Sequence, residues 1–206
     1  MVDNYEIISS MREYADQNNV PIILNDSLEY LIEYIKKNDI KNVLEIGTAI
    51  GYSAIMMALS KNDLTITTIE RDEKRYLEAI KNIKKASLED RITLIYSDAE
   101  EVNIDETFDL IFIDASKSQN IKFFEKFSKN LSSKGTIITD NINFHGLTGK
   151  KESEIESRNL RGLVRKINAY IDYLKTNPNF HTEFLNIGDG LSISIKNNWK
   201  KNLWKY

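Results

Sequence analysis

The chain has no cysteine, only two prolines, two histidines and eight glycines in 206 residues. Without cysteine there is no disulfide, no thiolate metal site and no thiol nucleophile; the absence also suits a reducing compartment. So few prolines and glycines leave no flexible linker, collagen-like repeat or low-complexity segment. No apolar run approaches the roughly 20 residues a membrane helix needs. The N-terminus, MVDNYEIISSMREY, is acidic and lacks a basic-then-apolar leader layout, so a cytoplasmic protein that makes no use of a membrane is expected. A positive excess is missing as well: the formal net charge is −3, which argues against a uniformly basic nucleic-acid binder.

What is present is an ordinary globular balance, 41% hydrophobic and 29% charged, enough for a sizeable core. The charge is unevenly spread. Residues 1–45 carry a balance of −5, residues 46–143 a balance of −3, and residues 144–206 a balance of +5. The last stretch, 190–206, holds Lys196, Lys200, Lys201 and Lys205 and no acid. Such a run is either a solvated face or a local phosphate-binding surface.

Residues 3–18 and 26–37 carry helical spacing, with Asn25 or Asp26 as N-cap. A regular alternation follows. Strands are expected at 42–47, 64–70, 91–99, 108–115 and 135–141, and helices at 48–61, 71–86 and 118–131. Near-continuous apolar strands alternating with helices predict a parallel sheet covered on both faces. Residues 142–153 read as a polar loop, 154–175 as a long helix, and 180–196 as a hairpin turning at Gly188-Asp189-Gly190. The expected fold is α/β, Rossmann-like and doubly wound, with a mostly parallel sheet and a C-terminal antiparallel hairpin. One domain is expected over 1–206: N-terminal helices to residue 40, core 41–141, loop, helix and hairpin 142–196, and a basic tail 197–206.

Ligands of such sheets bind beyond the carboxyl ends of the strands. The first strand ends in Glu45-Ile-Gly47-Thr-Ala-Ile-Gly51-Tyr-Ser53. Gly47 and Gly51 permit close backbone approach, and the next helix offers free amides. A dinucleotide fingerprint needs a third glycine. Glu45 would repel a pyrophosphate but suits an ammonium or sulfonium. Glu70 ends the second strand, where a carboxylate can take both ribose hydroxyls. Asp98, before Ala99, either contacts an adenine amino group or caps a helix. Ile23, next to Ile22, either closes over a ligand or packs in the core. The glycine turn, the ribose acid and Glu45 together indicate S-adenosylmethionine.

VLEIGTAIGYSA, TTIERDEKR, FDLIFIDASK and GTIITDN resemble, in order and over nearly the whole chain, the class I methyltransferases of the metal-dependent catechol and caffeoyl-CoA O-methyltransferase family. Asp114 ends the fourth strand, and Asp140 and Asn141 end the fifth. Oxygen-only donors there suit a hard ion such as magnesium, Mg2+, and the resemblance places the metal at these three positions. It also implies a role for Lys117 as general base or orienting group beside Asp114, and a homodimer.

Within this family, DNINFHGLTG, SRNLRGLVRKINAYIDYLKTNP and FLNIGDGLSIS resemble the bacterial tRNA 5-hydroxyuridine methyltransferases, which act on the wobble uridine of the anticodon loop. Arg158, Arg161 and Arg165 fall on one helix face, with Lys166 beside them, where phosphates can dock. His145 and Phe144 follow the metal pair and either contact the base or pack the loop. His181 carries no assigned role, and Trp199 and Trp204 are read as packing residues. The alternative acceptor is a catechol-like small molecule. A module that binds the cofactor without catalysis is opposed by the intact Asp114, Lys117, Asp140 and Asn141.

Overall fold

The computed structural model describes residues 4–143, 146, 148, 154, 155 and 157–197. The chain forms two compact units, Met1–Asn103 and Ile104–Tyr206. The boundary falls in the irregular stretch between the third and fourth strands.

In the first unit, helices α1 (Asn4–Asn18) and α2 (Asn25–Lys37) precede β1 (Asn42–Ile46), α3 (Tyr52–Ser60), β2 (Thr65–Glu70), α4 (Glu73–Lys85) and β3 (Ile92–Tyr96). The strands pair in parallel, β1 with β2 and β2 with β3. Val43, Leu44, Ile46, Ile66 and Ile69 are buried, as strands covered on both faces require. The expected cap of α2 differs. Leu24 occupies the N-cap without a side-chain bond, because the Asn25 amide oxygen accepts from Arg12 Nη2 at 3.0 Å. Helix α3 starts four residues later than its apolar pattern suggests, since residues 47–51 are spent on a turn with left-handed backbone.

The second unit holds β4 (Phe108–Ile113), a 3-10 turn (Lys117–Gln119), α5 (Asn120–Phe127), a second 3-10 turn (Ser128–Asn130), β5 (Leu131–Thr139), α6 (Arg158–Thr176), β6 (Phe180–Leu185) and β7 (Leu191–Lys196). Its strand order is β4-β5-β7-β6. Strands β4 and β5 are parallel, whereas β7 runs antiparallel to both β5 and β6. Strand β5 begins four residues before its apolar run. It enters through Ser132-Ser133-Lys134, and its register against β4 slips between Phe108 and Leu110. Helix α6 begins at Arg158 rather than near 154, because Ser157 caps it by accepting from Leu160 N at 3.4 Å. Its buried stripe is Val164, Ile167, Tyr170 and Leu174. Together these elements give the α/β Rossmann-like fold expected from the sequence, seven strands with a parallel core and an antiparallel C-terminal pair. No helix among the described residues is long and apolar enough to cross a membrane.

The hairpin turn clamps the segment after β5. Ile142 N donates to Gly190 O at 3.1 Å, and Asn143 N to Asp189 O at 2.8 Å. Gly190 has φ +88°, and a Cβ there would lie 2.7 Å from Asn143 Cβ. Gly146 shares the positive φ, at +70°, but faces open space. Gly146→Ala should therefore cost about 1 kcal/mol of stability from backbone strain alone. Gly190→Ala should cost about 3 kcal/mol, because overpacking adds to the same strain. Urea unfolding of the two variants checks this; equal losses would mean that the approach of residue 143 is not a tight one.

Candidate active site

The first unit gathers Glu45, Ser53, Glu70, Asp98 and Ala99. Backbone conformation creates the turn above β1. Gly47, Ala49 and Gly51 have φ of 102°, 48° and 86°, and Gly51 caps α3 in the left-handed region. Asn82 Nδ2 holds Ile50 O at 2.9 Å.

Glu45 faces inward. It has 0% exposure. Ser53 Oγ donates to one of its oxygens at 2.5 Å and Thr68 Oγ1 to the other at 2.6 Å. Thr48 Oγ1 lies 2.6 Å from Thr68 Oγ1 and extends this buried chain. Burial pushes the Glu45 carboxyl up to about 7; the two hydroxyl bonds pull it down, and nearby Glu70 pushes it slightly further up. Glu45 and Ser53 are thus held to each other at the base of the glycine turn.

Glu70 is buried too, yet its surroundings are the reverse. One oxygen accepts from Ala49 N at 2.8 Å, and the other from Arg71 N at 2.9 Å and Asp72 N at 2.8 Å. A carboxylate offers about four acceptor sites, so three amides leave little spare capacity. Glu70 thus ties the glycine turn to the start of α4 as well as standing where a ribose acid is expected. Asp98 closes a turn, accepting from Glu100 N at 2.9 Å, and pairs with Arg71 Nη1 at 3.1 Å; among the described residues no helix directly follows it to be capped. Ala99 and Ile23 are buried, at 7% and 6% exposure; for Ile23 this is the packing alternative. Arg71, Thr48 and Thr68 had drawn no attention in the sequence, because threonines on a strand and an arginine at a helix start are commonplace.

The second unit brings the oxygen donors together. Asn141 Nδ2 lies 3.1 Å from Asp114 Oδ1, and Asp140 Oδ1 accepts from Asn141 N at 2.8 Å. Asp140 N donates to Ile113 O at 3.1 Å, one step beyond the β4–β5 ladder. Asn141 has φ +64°, a conformation that asparagine tolerates better than most residues. Among the described residues no three His, Cys, Asp or Glu side chains form a metal cluster; the third donor of this set is an amide. Two carboxylates and one amide oxygen are a hard-donor set, and magnesium fits it.

Lys117 is half-buried at the start of the 3-10 turn, not at the start of the α-helix as expected. That turn packs on α6. Tyr170 of α6 bonds Thr139 Oγ1 at 2.7 Å, immediately before Asp140. Burial pushes the Tyr170 hydroxyl well above its ordinary value, so it stays protonated. Tyr170 had looked like one more residue of an apolar stripe. On α6, Arg158, Arg165 and Lys166 are exposed and Arg161 half-exposed, opposite the buried stripe. His145 and Phe144 lie outside the described residues, as do Trp199 and Trp204.

Residues 1–197 match the O-methyltransferase family. The chain belongs to it. A caffeoyl-CoA O-methyltransferase from Populus kitakamiensis is 28% identical over 193 residues, 90% of this chain and 82% of its own length. Tapetum-specific methyltransferase 1 of Arabidopsis thaliana is 29% identical over 202 residues, 92% of this chain and 85% of its own. A solved structure from Staphylococcus aureus, described as a candidate caffeoyl-CoA O-methyltransferase, is 42% identical with a TM-score of 0.86, covering 92% of this chain and 91% of that one. S-adenosylmethionine-dependent O-methyltransferase activity of the caffeoyl-CoA type is thereby assigned.

Glu45 supplies a test of the first half of this site. Its folded carboxyl titrates near 7, against an ordinary 4.5, so the folded chain binds that proton more tightly than the unfolded chain. Its contribution to stability therefore declines as pH rises from about 4.5 to about 7 and is flat above. The total is on the order of 3 kcal/mol at 1.36 kcal/mol per unit. Glu45→Gln should flatten that decline in urea titrations at pH 5 and 7.5; an unchanged slope would assign it to another group.

Proposed function

We propose that this O-methyltransferase is magnesium-dependent and transfers the methyl of S-adenosylmethionine to the 5-hydroxyl of 5-hydroxyuridine at the tRNA wobble position. The observation that carries the reading is the oxygen cluster Asp114, Asp140 and Asn141, with Lys117 three residues from Asp114 and a helix of exposed cations packed on the Lys117 turn. A tRNA anticodon-loop partner and a homodimer belong to the same reading.

Magnesium, held by Asp114, Asp140 and Asn141, would supply Lewis acidity to an acceptor with two adjacent oxygens. O4 and the 5-hydroxyl of 5-hydroxyuracil are such a pair, and so are the two oxygens of a catechol. The chain's own residues do the rest. Lys117 Nζ is the group assigned to take the acceptor proton. The acceptor oxyanion attacks the sulfonium methyl; an O–CH3 bond forms, the S–CH3 bond breaks, and the sulfonium leaves as a neutral thioether. Holding donor and acceptor in line can supply roughly 7–11 kcal/mol of the barrier. Arg158, Arg161, Arg165 and Lys166 would meet phosphates of the loop, and an unpaired wobble base is cheap to splay out.

A second reading, a catechol-like small-molecule acceptor, is favoured by the curated relatives, which include caffeoyl-CoA and flavonoid methyltransferases. Incubation with labelled S-adenosylmethionine, magnesium and tRNA from cells lacking the enzyme, followed by digestion, should yield labelled 5-methoxyuridine. Its absence, with turnover of a catechol, would overturn the tRNA reading in favour of the second.

Two variants sharpen the assignment. Asp140→Ala should lower turnover by more than the roughly 10–100-fold typical for a supporting residue of a metal site, while S-adenosylmethionine binding by calorimetry stays near wild type. Simultaneous Arg158→Ala, Arg161→Ala and Arg165→Ala should weaken tRNA binding and reduce its log–log salt slope by about 2, at roughly 0.7 per lost phosphate contact. Catechol turnover, if any, should not change.

A further inference from the structure

We infer that the groove between α6 and the β6–β7 hairpin is a base-stacking subsite for an unpaired nucleotide next to the methylated one. This inference rests on the tRNA reading above. The groove has a volume of about 350 Å3 and begins at Ile142 and Asn143, directly after the oxygen cluster. Its wall is Phe184, 37% exposed on the edge strand β6. Lys175 of α6 places Nζ 5.9 Å from the centre of that ring. Ile171 adds an apolar contact, and Asn143 and Asn186 line the same space, with Asn143 Nδ2 donating to Asn186 Oδ1 at 3.5 Å and Asn143 Oδ1 accepting from Thr148 Oγ1 at 3.0 Å.

Each part has a use in holding a single-stranded nucleotide. An exposed aromatic ring stacks on a base of any sequence. A cation beside it can meet the attached phosphate and strengthens the stack. The two side-chain amides already bond each other, and their remaining donor and acceptor sites can meet a base edge. Among the described residues no acid lines the groove, and α6 continues from Lys175 toward Lys166, Arg165, Arg161 and Arg158. An apolar peptide would need neither the cation nor the two amides, so RNA is the better occupant.

The test measures binding of a fluorescent ~17-nucleotide anticodon stem–loop, with unmodified uridine at the wobble position, and of a duplex of equal length. Wild type, Phe184→Ala, Phe184→Tyr and Lys175→Ala are compared. Phe184→Ala should weaken stem–loop binding by about tenfold and leave duplex binding unchanged, since only an unpaired base can stack. Phe184→Tyr should stay within about twofold of wild type, because the ring remains. Lys175→Ala should weaken binding and lower the salt slope by about 0.7.

Wild-type affinity in Phe184→Ala, an equal loss on the duplex, or a shift in oligomeric state in place of a loss of RNA affinity would each overturn the subsite. If wild type still forms 5-methoxyuridine in such a case, only the subsite falls. If wild type neither binds the stem–loop nor methylates tRNA, the parent reading falls and the subsite with it.

Discussion

The hydrogen bond from Asp140 N to Ile113 O fixes the oxygen cluster of the second unit. It continues the β4–β5 pairing one step past the end of both strands. Asp114 therefore emerges beside Asp140 and Asn141, although 26 positions separate Asp114 from Asp140 in the chain. The strands below are among the most buried segments: Leu110, Ile111, Phe112 and Ile113 are fully enclosed, so the rung has a rigid base. Above it, Asp189 and Gly190 hold Ile142 and Asn143 from the hairpin side, and Tyr170 grips Thr139 from α6. Asn141 bridges the two carboxylates, through its side-chain amide to Asp114 and its backbone amide to Asp140, and packing on three sides keeps the cluster assembled.

The two glutamates of the first unit show how surroundings decide what a carboxylate does. Glu70 sits at a strand end where three backbone amides converge on its two oxygens. Glu45 is two residues inside its strand's glycine turn, with only hydroxyl donors, and burial dominates. Hydroxyls can turn to suit either protonation state, whereas amides cannot. The turn above β1 therefore rests on a carboxylate whose charge state varies near neutrality, while Glu70 beside it is tied to fixed donors.

Much of this was legible in the sequence, because the apolar strands and the 3.6-residue helix period are large signals. NVLEI, TITTIE and FDLIFI became β1, β2 and β4 with boundaries shifted by a residue or two. The meeting of Asp114, Asp140 and Asn141 was legible as well, since a strand end is a place the pattern marks. What stayed hidden was orientation and partnership. A period-two pattern does not reveal that Glu45 points down onto Thr68 in the neighbouring strand, nor that Asp98 is engaged by Arg71, 27 positions away. The start of β5 was missed because Ser132–Lys134 are polar and sit where the register against β4 jumps from Leu131 to Thr136. Lys117 fell in a 3-10 turn, because a short tight turn has no periodicity to read. Phe184 looked like an ordinary strand residue; its exposure follows from β6 being an edge.

The net charge of −3 also changes meaning once it is placed on the fold. The first turn of α6 contains no acid, while Arg158 and Arg161 stand at its positive end. Cations there work against the helix dipole, each at about 0.3–1 kcal/mol when exposed. Nothing in the packing of Val164, Ile167, Tyr170 or Leu174 requires them, since they lie on the opposite face. A small catechol acceptor gains nothing from this arrangement. A polyanion does, because the arginines and the helix dipole attract it together. Under the tRNA proposal the ligand itself would reverse that local balance, and this is what α6, a helix bonded to the residue before Asp140, contributes to that proposal beside curated relatives named for small molecules.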